Sequence, residues 1–308
     1  MSGYFDKRSM ARRALSQRAV ALTYGQRALT VGATHSLLAQ GTAQSTSHRE
    51  SPYTRLALTA RLFEAVFLGD KDEADRALEF TKKRHATVKG TIDEYGGPAH
   101  PAGSRYDAND PGGMWWTVAF TLDSVEVQHD RLVRRLKDRE REELFSDFVR
   151  WGELFGMPRS AAPHDYADFR EGYDAWLASD APYLTEELKL LGQYISGYRV
   201  ANQPPLPARP VFATIHLLTV GSLPPKVRDM FEMEWARRDE VRYQAVTRSS
   251  RLAHGRVPLF ASSPVMRGRS QEFYKFVARG EQEVLRRGNT SMPGVSDRRV
   301  DLDRSETA

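Results

Sequence analysis

Apolar residues recur at helical spacing along almost the whole chain, and alternating β-branched runs are nearly absent. That single pattern restricts the fold to the all-α class. Helices are predicted near 8–23, 27–45, 52–68, 71–89, 112–135, 138–155, 165–178, 184–198, 208–220, 224–248 and 268–287. Local chemistry marks several of their ends. Ser51-Pro52 sets a cap before a first-turn proline, and Asp70 can cap the helix that carries His85. Gly90 and Gly156 are expected to terminate the helices that precede them. The stretch from Thr91 to Gly113 is rich in Gly, Pro, Asp and Asn and is predicted to be a long ordered loop, with Tyr95 and Tyr106 as its apolar material. Gln203 to Pro207 forms a stiff connector. A length of 308 residues suffices for one large core, and no repeat or linker divides it. The expectation is a single helical domain over residues 1–290 and a flexible tail over 291–308.

Composition then removes whole classes of chemistry. There is no cysteine, so disulfides, Cys-based zinc sites, iron–sulfur clusters, thiolate-ligated haem and covalently attached c-type haem are all excluded. Any transition metal has to be held by histidine, carboxylate or an exogenous ligand. Forty-five basic and 40 acidic residues leave a net charge of +5, spread along the chain. The densest basic runs, Lys82-Lys83-Arg84 and Arg131 to Lys137, fall on helical patterns and fit solvated faces, so no nucleic-acid partner is expected. Met1 to Arg13 has no apolar signal segment, and the longest apolar stretch, Val211 to Val220, is too short to span a bilayer. These features predict a cytoplasmic protein without a transmembrane segment.

The eight histidines offer neither an H-E-x-x-H pair nor any other zinc spacing, and the chain lacks a calcium loop, a P-loop and a GxGxxG turn. His48-Arg49-Glu50 has the His-x-carboxylate form of a non-haem iron site, but it falls in an interhelix turn and lacks a defined third ligand. His85 shares a stripe with Ala74, Leu78, Thr81 and Val88 on an otherwise charged helix. A core histidine bonded to a backbone carbonyl satisfies the same pattern. On the preceding helix Arg55 and Thr59 share a face with Leu62 and Val66, and an inward arginine is costly without an anionic partner. Thr117, Thr121, Ser124 and Gln128 form a polar stripe on a third helix. Inward arginine, inward histidine and a hydroxyl-lined helix together suggest a polar pocket rather than a plain core.

Several motifs now occur in a fixed order. Pro52-Tyr53-Thr54-Arg55-Leu56-Ala57-Leu58-Thr59 leads to Gly69-Asp70 and Ala74, and then to His85-Ala86-Thr87-Val88-Lys89-Gly90. Tyr106 to Pro111, Thr121-Leu122-Asp123-Ser124 and Gly152 to Pro158 follow, with Gly32 and Leu37 to Gln40 upstream. In this order and spacing the chain resembles the mpaB and rubber-oxygenase (latex clearing protein) catalytic-domain family. The likeness is clear over roughly residues 30–180 and looser to about 265.

The resemblance implies an all-α, globin-like core holding haem b, with His85 as iron ligand and Arg55, Thr59 and Thr121 facing the haem environment. It also implies an oxygenase that uses O2 on a hydrophobic small molecule, with oxidative C=C cleavage of an isoprenoid or specialised metabolite as one outcome. Hydroxylase or peroxygenase chemistry and non-catalytic haem binding or O2 sensing are the alternatives. Two positions depart from the family. Leu58 stands where lysine or arginine is usual, which predicts a more apolar distal side, and Ala119 or Phe120 replaces a histidine. Leu58, Leu62, Phe63, Trp116 and Phe120 could line a hydrophobic substrate pocket or an ordinary core. The oligomeric state is not encoded in these patterns.

Overall fold

The computed structural model describes residues 3–45, 51–198, 209–256 and 270–288. About 70% helix against 3% strand places the chain in the all-α class. The helices are α1 (Met10–Leu15), α2 (Arg18–Ala21), α3 (Tyr24–Gly32), α4 (Ser36–Ser45), α5 (Pro52–Leu68), α6 (Lys71–His85) and α7 (Pro111–Leu132). They continue with α8 (Asp138–Phe155), α9 (Tyr166–Ala178), α10 (Glu186–Ile195), α11 (Arg209–Ser222), α12 (Pro225–Met230), α13 (Arg237–Arg256) and α14 (Gln271–Arg286). His48 to Glu50 and the 291–308 tail lie outside the described residues, as does the 203–207 connector.

Three long helices of the sequence reading are broken in the structure. Residues 8–23 form α1 and α2, 27–45 form α3 and α4, and 224–248 divide into α12 and α13. Each break changes the direction of the chain so that the two parts pack on different neighbours, which local periodicity does not register. The helix carrying His85 also stops earlier than expected. It ends at His85, not at Gly90, and residues 89–91 instead form strand β1, paired antiparallel with β2 (Arg105–Asp107). Gly90 has a packing role: a Cβ there would lie 2.9 Å from the Tyr106 hydroxyl, and a Cβ on Gly41 would lie 2.7 Å from the Tyr106 ring. Tyr106 is thus seated between two glycines and fastens the hairpin to α4. Gly156 does end its helix, in the left-handed conformation at φ +106°.

The core is built around α7, whose residues from Val118 to Glu126 are all buried. Its neighbours are chiefly α3, α8, α13 and α2, whereas α5 packs on α6, α14 and α1. Aromatic rings fill the space between layers. Phe63 lies 4.5 Å from Trp151 between centroids, Phe67 lies 4.6 Å from Phe5, and Trp115 meets Phe169 edge-on at 5.9 Å.

Within this apolar surrounding sits a carboxylate. Asp123, 2% exposed, accepts from Arg27 Nη1 and Arg170 Nη1 at 2.6 Å each and from the Tyr173 hydroxyl at 3.1 Å. Arg27 also donates to Ser124 Oγ at 2.9 Å and to the Ser222 carbonyl at 3.1 Å, and Gln128 bonds Ser222 Oγ at 2.9 Å. Desolvation alone would raise the Asp123 pKa, but Arg27 and then Arg170 outweigh it and hold the carboxyl below its ordinary value. One cluster therefore ties α3, α7, α9 and α11 together. Removing its centre leaves Arg27 buried without a counter-charge. Asp123→Ala is expected to lower the unfolding free energy by about 3–5 kcal/mol in urea denaturation, and a loss below about 1 kcal/mol would show the network to be dispensable.

Candidate functional site

Helix α6 is started by Asp70, whose side chain accepts from the Glu73 amide, and carries Asp72 and Glu73 in its first turn. Lys82, Lys83, Arg84 and His85 occupy the last turn, so its charges oppose the helix dipole at both ends. Ala74, Ala77 and Leu78 form the buried face that docks α6 on α5. His85, the final residue of that helix, is half-buried at the same junction, and its carbonyl accepts from Asn109 Nδ2 at 3.4 Å. Val88 lies beyond the helix, so it no longer extends the stripe.

The structure brings Arg55 to His85. A helix C-terminus by itself favours a charged imidazole. Burial, and next the Arg55 guanidinium, push the His85 pKa down instead, so the ring is neutral near pH 7. Arg55 is only partly exposed, and desolvation lowers its pKa to about 10. No carboxylate offsets that cost: among the described residues the Arg55 guanidinium forms no ion pair and no hydrogen bond. The His85 ring nitrogens and the Thr59 hydroxyl, one turn along α5 from Arg55, likewise have no hydrogen-bond partner among the described residues. A cation, a hydroxyl and a neutral imidazole therefore cluster with their polar capacity unspent. This is a donor set suited to an external anion beside a metal or electrophile.

Thr121 belongs to different surroundings. It is 6% exposed, and its hydroxyl donates to the Thr117 carbonyl at 2.8 Å within α7. No hydrogen bond or ion pair joins it to Arg55 or His85. The polar stripe that contains it is largely structural, because Ser124 and Gln128 are taken up by Arg27 and Ser222. The apolar residues expected near the site are also dispersed. Phe63 stacks on Trp151 and Phe67, Trp116 and Phe120 pack with Trp176, and Leu58 faces a groove between α5 and α14.

One arrangement had no signal in the sequence. His35, 8% exposed just before α4, stacks on Trp176 at 6.0 Å and lies 5.3 Å from the His100 ring. Its Nδ1 is buried without a hydrogen bond, and burial, then His100, lowers its pKa to about 4. Long-range packing alone unites these rings, and no spacing rule would find them. Among the described residues one group of three side chains could hold a metal ion: His164, Asp165 and Asp168. It is a cap in use, since Asp165 accepts from the Asp168 amide at 3.0 Å at the start of α9.

Two titration experiments follow. His35 and His129 both titrate near 4 in the fold against 6.5 when unfolded, His129 because of burial and then Arg134. Below 6.5 the unfolded chain binds more protons, so stability is fully present above 6.5 and is lost as pH falls toward 4. Urea denaturation across that window should show the fall, up to about 3 kcal/mol per histidine, and a flat profile would contradict neutral burial. In Arg55→Gln, an NMR titration should find the His85 pKa moved up toward its ordinary value of 6.5, and an unchanged value would mean the guanidinium does not act on the ring.

The family described as "ER-bound oxygenase mpaB/B'/Rubber oxygenase, catalytic domain" matches residues 12–252, most of the chain. An uncharacterized protein of Mycobacterium bovis is 25% identical over 214 residues, covering 67% of this chain and 76% of its own length. An uncharacterized protein of Mycobacterium tuberculosis matches with the same identity and the same coverage of both chains. No solved structure matches. From the ordered motifs of α4 to α8 and the match over residues 12–252, the chain belongs to the mpaB and rubber-oxygenase catalytic-domain family of oxygenases.

Proposed function

We propose that the chain is a haem b-dependent oxygenase acting on a hydrophobic small molecule with O2. The observation that carries this reading is the Arg55–His85 junction, where a desolvated guanidinium without a carboxylate lies beside a neutral imidazole. The residues fit the group. A desolvated arginine with no counter-charge among the described residues gains from a carboxylate such as a haem propionate, and a neutral imidazole nitrogen is the form that ligates iron. His85 would hold the iron, Arg55 would hold a propionate, and Thr59 would offer a hydroxyl one turn away. Thr121 fits a lesser place as part of the α7 wall, since its hydroxyl is already bonded.

The bound haem would supply the redox chemistry with O2 that no side chain of this protein provides. The chain's own contribution is to orient and to exclude water. The α5–α6 junction fixes the histidine at the end of a well-capped helix, so its position is set by packing rather than by a loop. Neutral His85 needs no proton removed before it can ligate at pH 7, and Arg55 keeps it so by disfavouring protonation. Oxidative cleavage of a C=C bond in an isoprenoid is the reaction the family suggests.

Haem reconstitution tests the reading without recourse to activity. The wild type should give a Soret band and a pyridine haemochrome. His85→Ala should lose or shift the band, and Arg55→Gln should weaken haem affinity by about tenfold. A wild type with no Soret band after reconstitution would remove the haem assignment, and a band identical in His85→Ala would remove His85 as ligand. O2 consumption with an isoprenoid panel, followed by detection of product carbonyls, separates cleavage from hydroxylation and from sensing.

A further inference from the structure

Helix α5 presents a second face, turned away from Arg55 and Thr59. There α14 lies along it, held by Glu281, which accepts from the Thr54 amide at 2.7 Å and from its hydroxyl at 2.9 Å. Tyr274 adds a bond to the Ala21 carbonyl at 2.8 Å. The two helices leave a groove of about 340 Å³ between them. Its floor is Ala57, Leu58 and Ala278, small or apolar residues in facing turns. Its rim is cationic: Arg61 on one side, Lys275, Arg279 and Arg286 on the other.

No carboxylate is among the residues lining the groove. Arg286 is partly neutralised by Glu283 at 2.7 Å, but Arg61 and Arg279 form no ion pair among the described residues. Phe276, one turn before Arg279, leaves 53% of its surface in solvent on the same side of α14. An apolar floor flanked by Arg61 and Arg279, which form no ion pair among the described residues, matches one ligand chemistry, a hydrocarbon chain ending in an anionic group. The groove is concave and sized for a single small molecule, at the low end of ligand-pocket volumes. A polyanion such as nucleic acid would call for a longer basic track than this single groove offers, and a bilayer surface would call for a broad, convex patch.

We propose that the α5–α14 groove is a binding site for a free single-chain amphiphile with an anionic head group, its chain on Leu58 and Ala278 and its head between Arg61 and Arg279. Leucine at position 58 is then functional in its own right, as chain-binding surface. The site does not depend on the haem assignment, because it is formed by other residues on another face of α5.

Calorimetric titration of the purified full chain with oleate below its micelle concentration tests the site, with the Soret absorbance recorded in parallel as a separate readout. One oleate should bind per chain, and neutral oleyl alcohol should bind about tenfold more weakly. Arg61→Gln combined with Arg279→Gln should weaken oleate by a similar factor and leave oleyl alcohol unchanged. Ala278→Trp, which fills the floor and keeps the charges, should abolish both, with thermal midpoints reporting that each variant folds. Absent oleate binding, equal binding by all variants, or equal affinity for oleyl alcohol would overturn the proposal. So would capture by phosphatidylserine vesicles without binding of monomeric oleate, which would make the groove part of a membrane-docking face, and so would a stable dimer that masks the groove.

Discussion

Asp123 is the fixed point of this fold. It sits in the middle of the most buried helix and is held from two sides by Arg27 and Arg170. Through Arg27 the same cluster reaches Ser222 at the end of α11, and through Arg170 and Tyr173 it reaches α9. A buried carboxylate tolerates only a narrow set of arrangements, because each missing partner exposes the full cost of desolvation. The cluster therefore fixes how α3, α9 and α11 are set around α7. The aromatic layers fill the remaining space without the same directional demand.

Arg55 poses the same electrostatic problem and meets the opposite answer. Arg27 is paired with Asp123 and bonded to Ser124 and Ser222, whereas Arg55 is desolvated with no ion pair among the described residues and lies next to an imidazole whose protonation it opposes. Two inward arginines of one molecule are thus treated differently by the fold. Arg27 spends its bonds holding helices together, and Arg55, with no bond among the described residues, keeps its donors for another partner.

Leu58 carries two readings that answer different questions. Set against the family pattern, it reads as a lost polar group on the far side of an iron. In the fold it lies on the floor of the α5–α14 groove, on a different face of α5 from Thr59. The step between residues 58 and 59 is a rotation of about 100° on a helix, enough to move a side chain from one environment to another. The α7 stripe has a structural use of its own. Ser124 and Gln128 are bonded across the interface to Arg27 and Ser222, and the Thr121 hydroxyl is bonded within α7 to the Thr117 carbonyl.

The all-α class, the caps at Asp70 and Gly156 and the inward placement of Arg55 and His85 could all be read from the chain alone, because each depends on spacing within one helix. The breaks between α1 and α2, α3 and α4, and α12 and α13 could not, since a short helix turns only when its buried face has a partner to meet. Nor could the β1–β2 hairpin, which exists because Tyr106 fits between Gly41 and Gly90 from distant segments. The His35–His100–Trp176 cluster and the groove beside Leu58 belong to the same category. Periodicity tells a residue which way to face. Only the packing of helices far apart in sequence determines what it faces, because desolvation and pairing are properties of both surfaces at once.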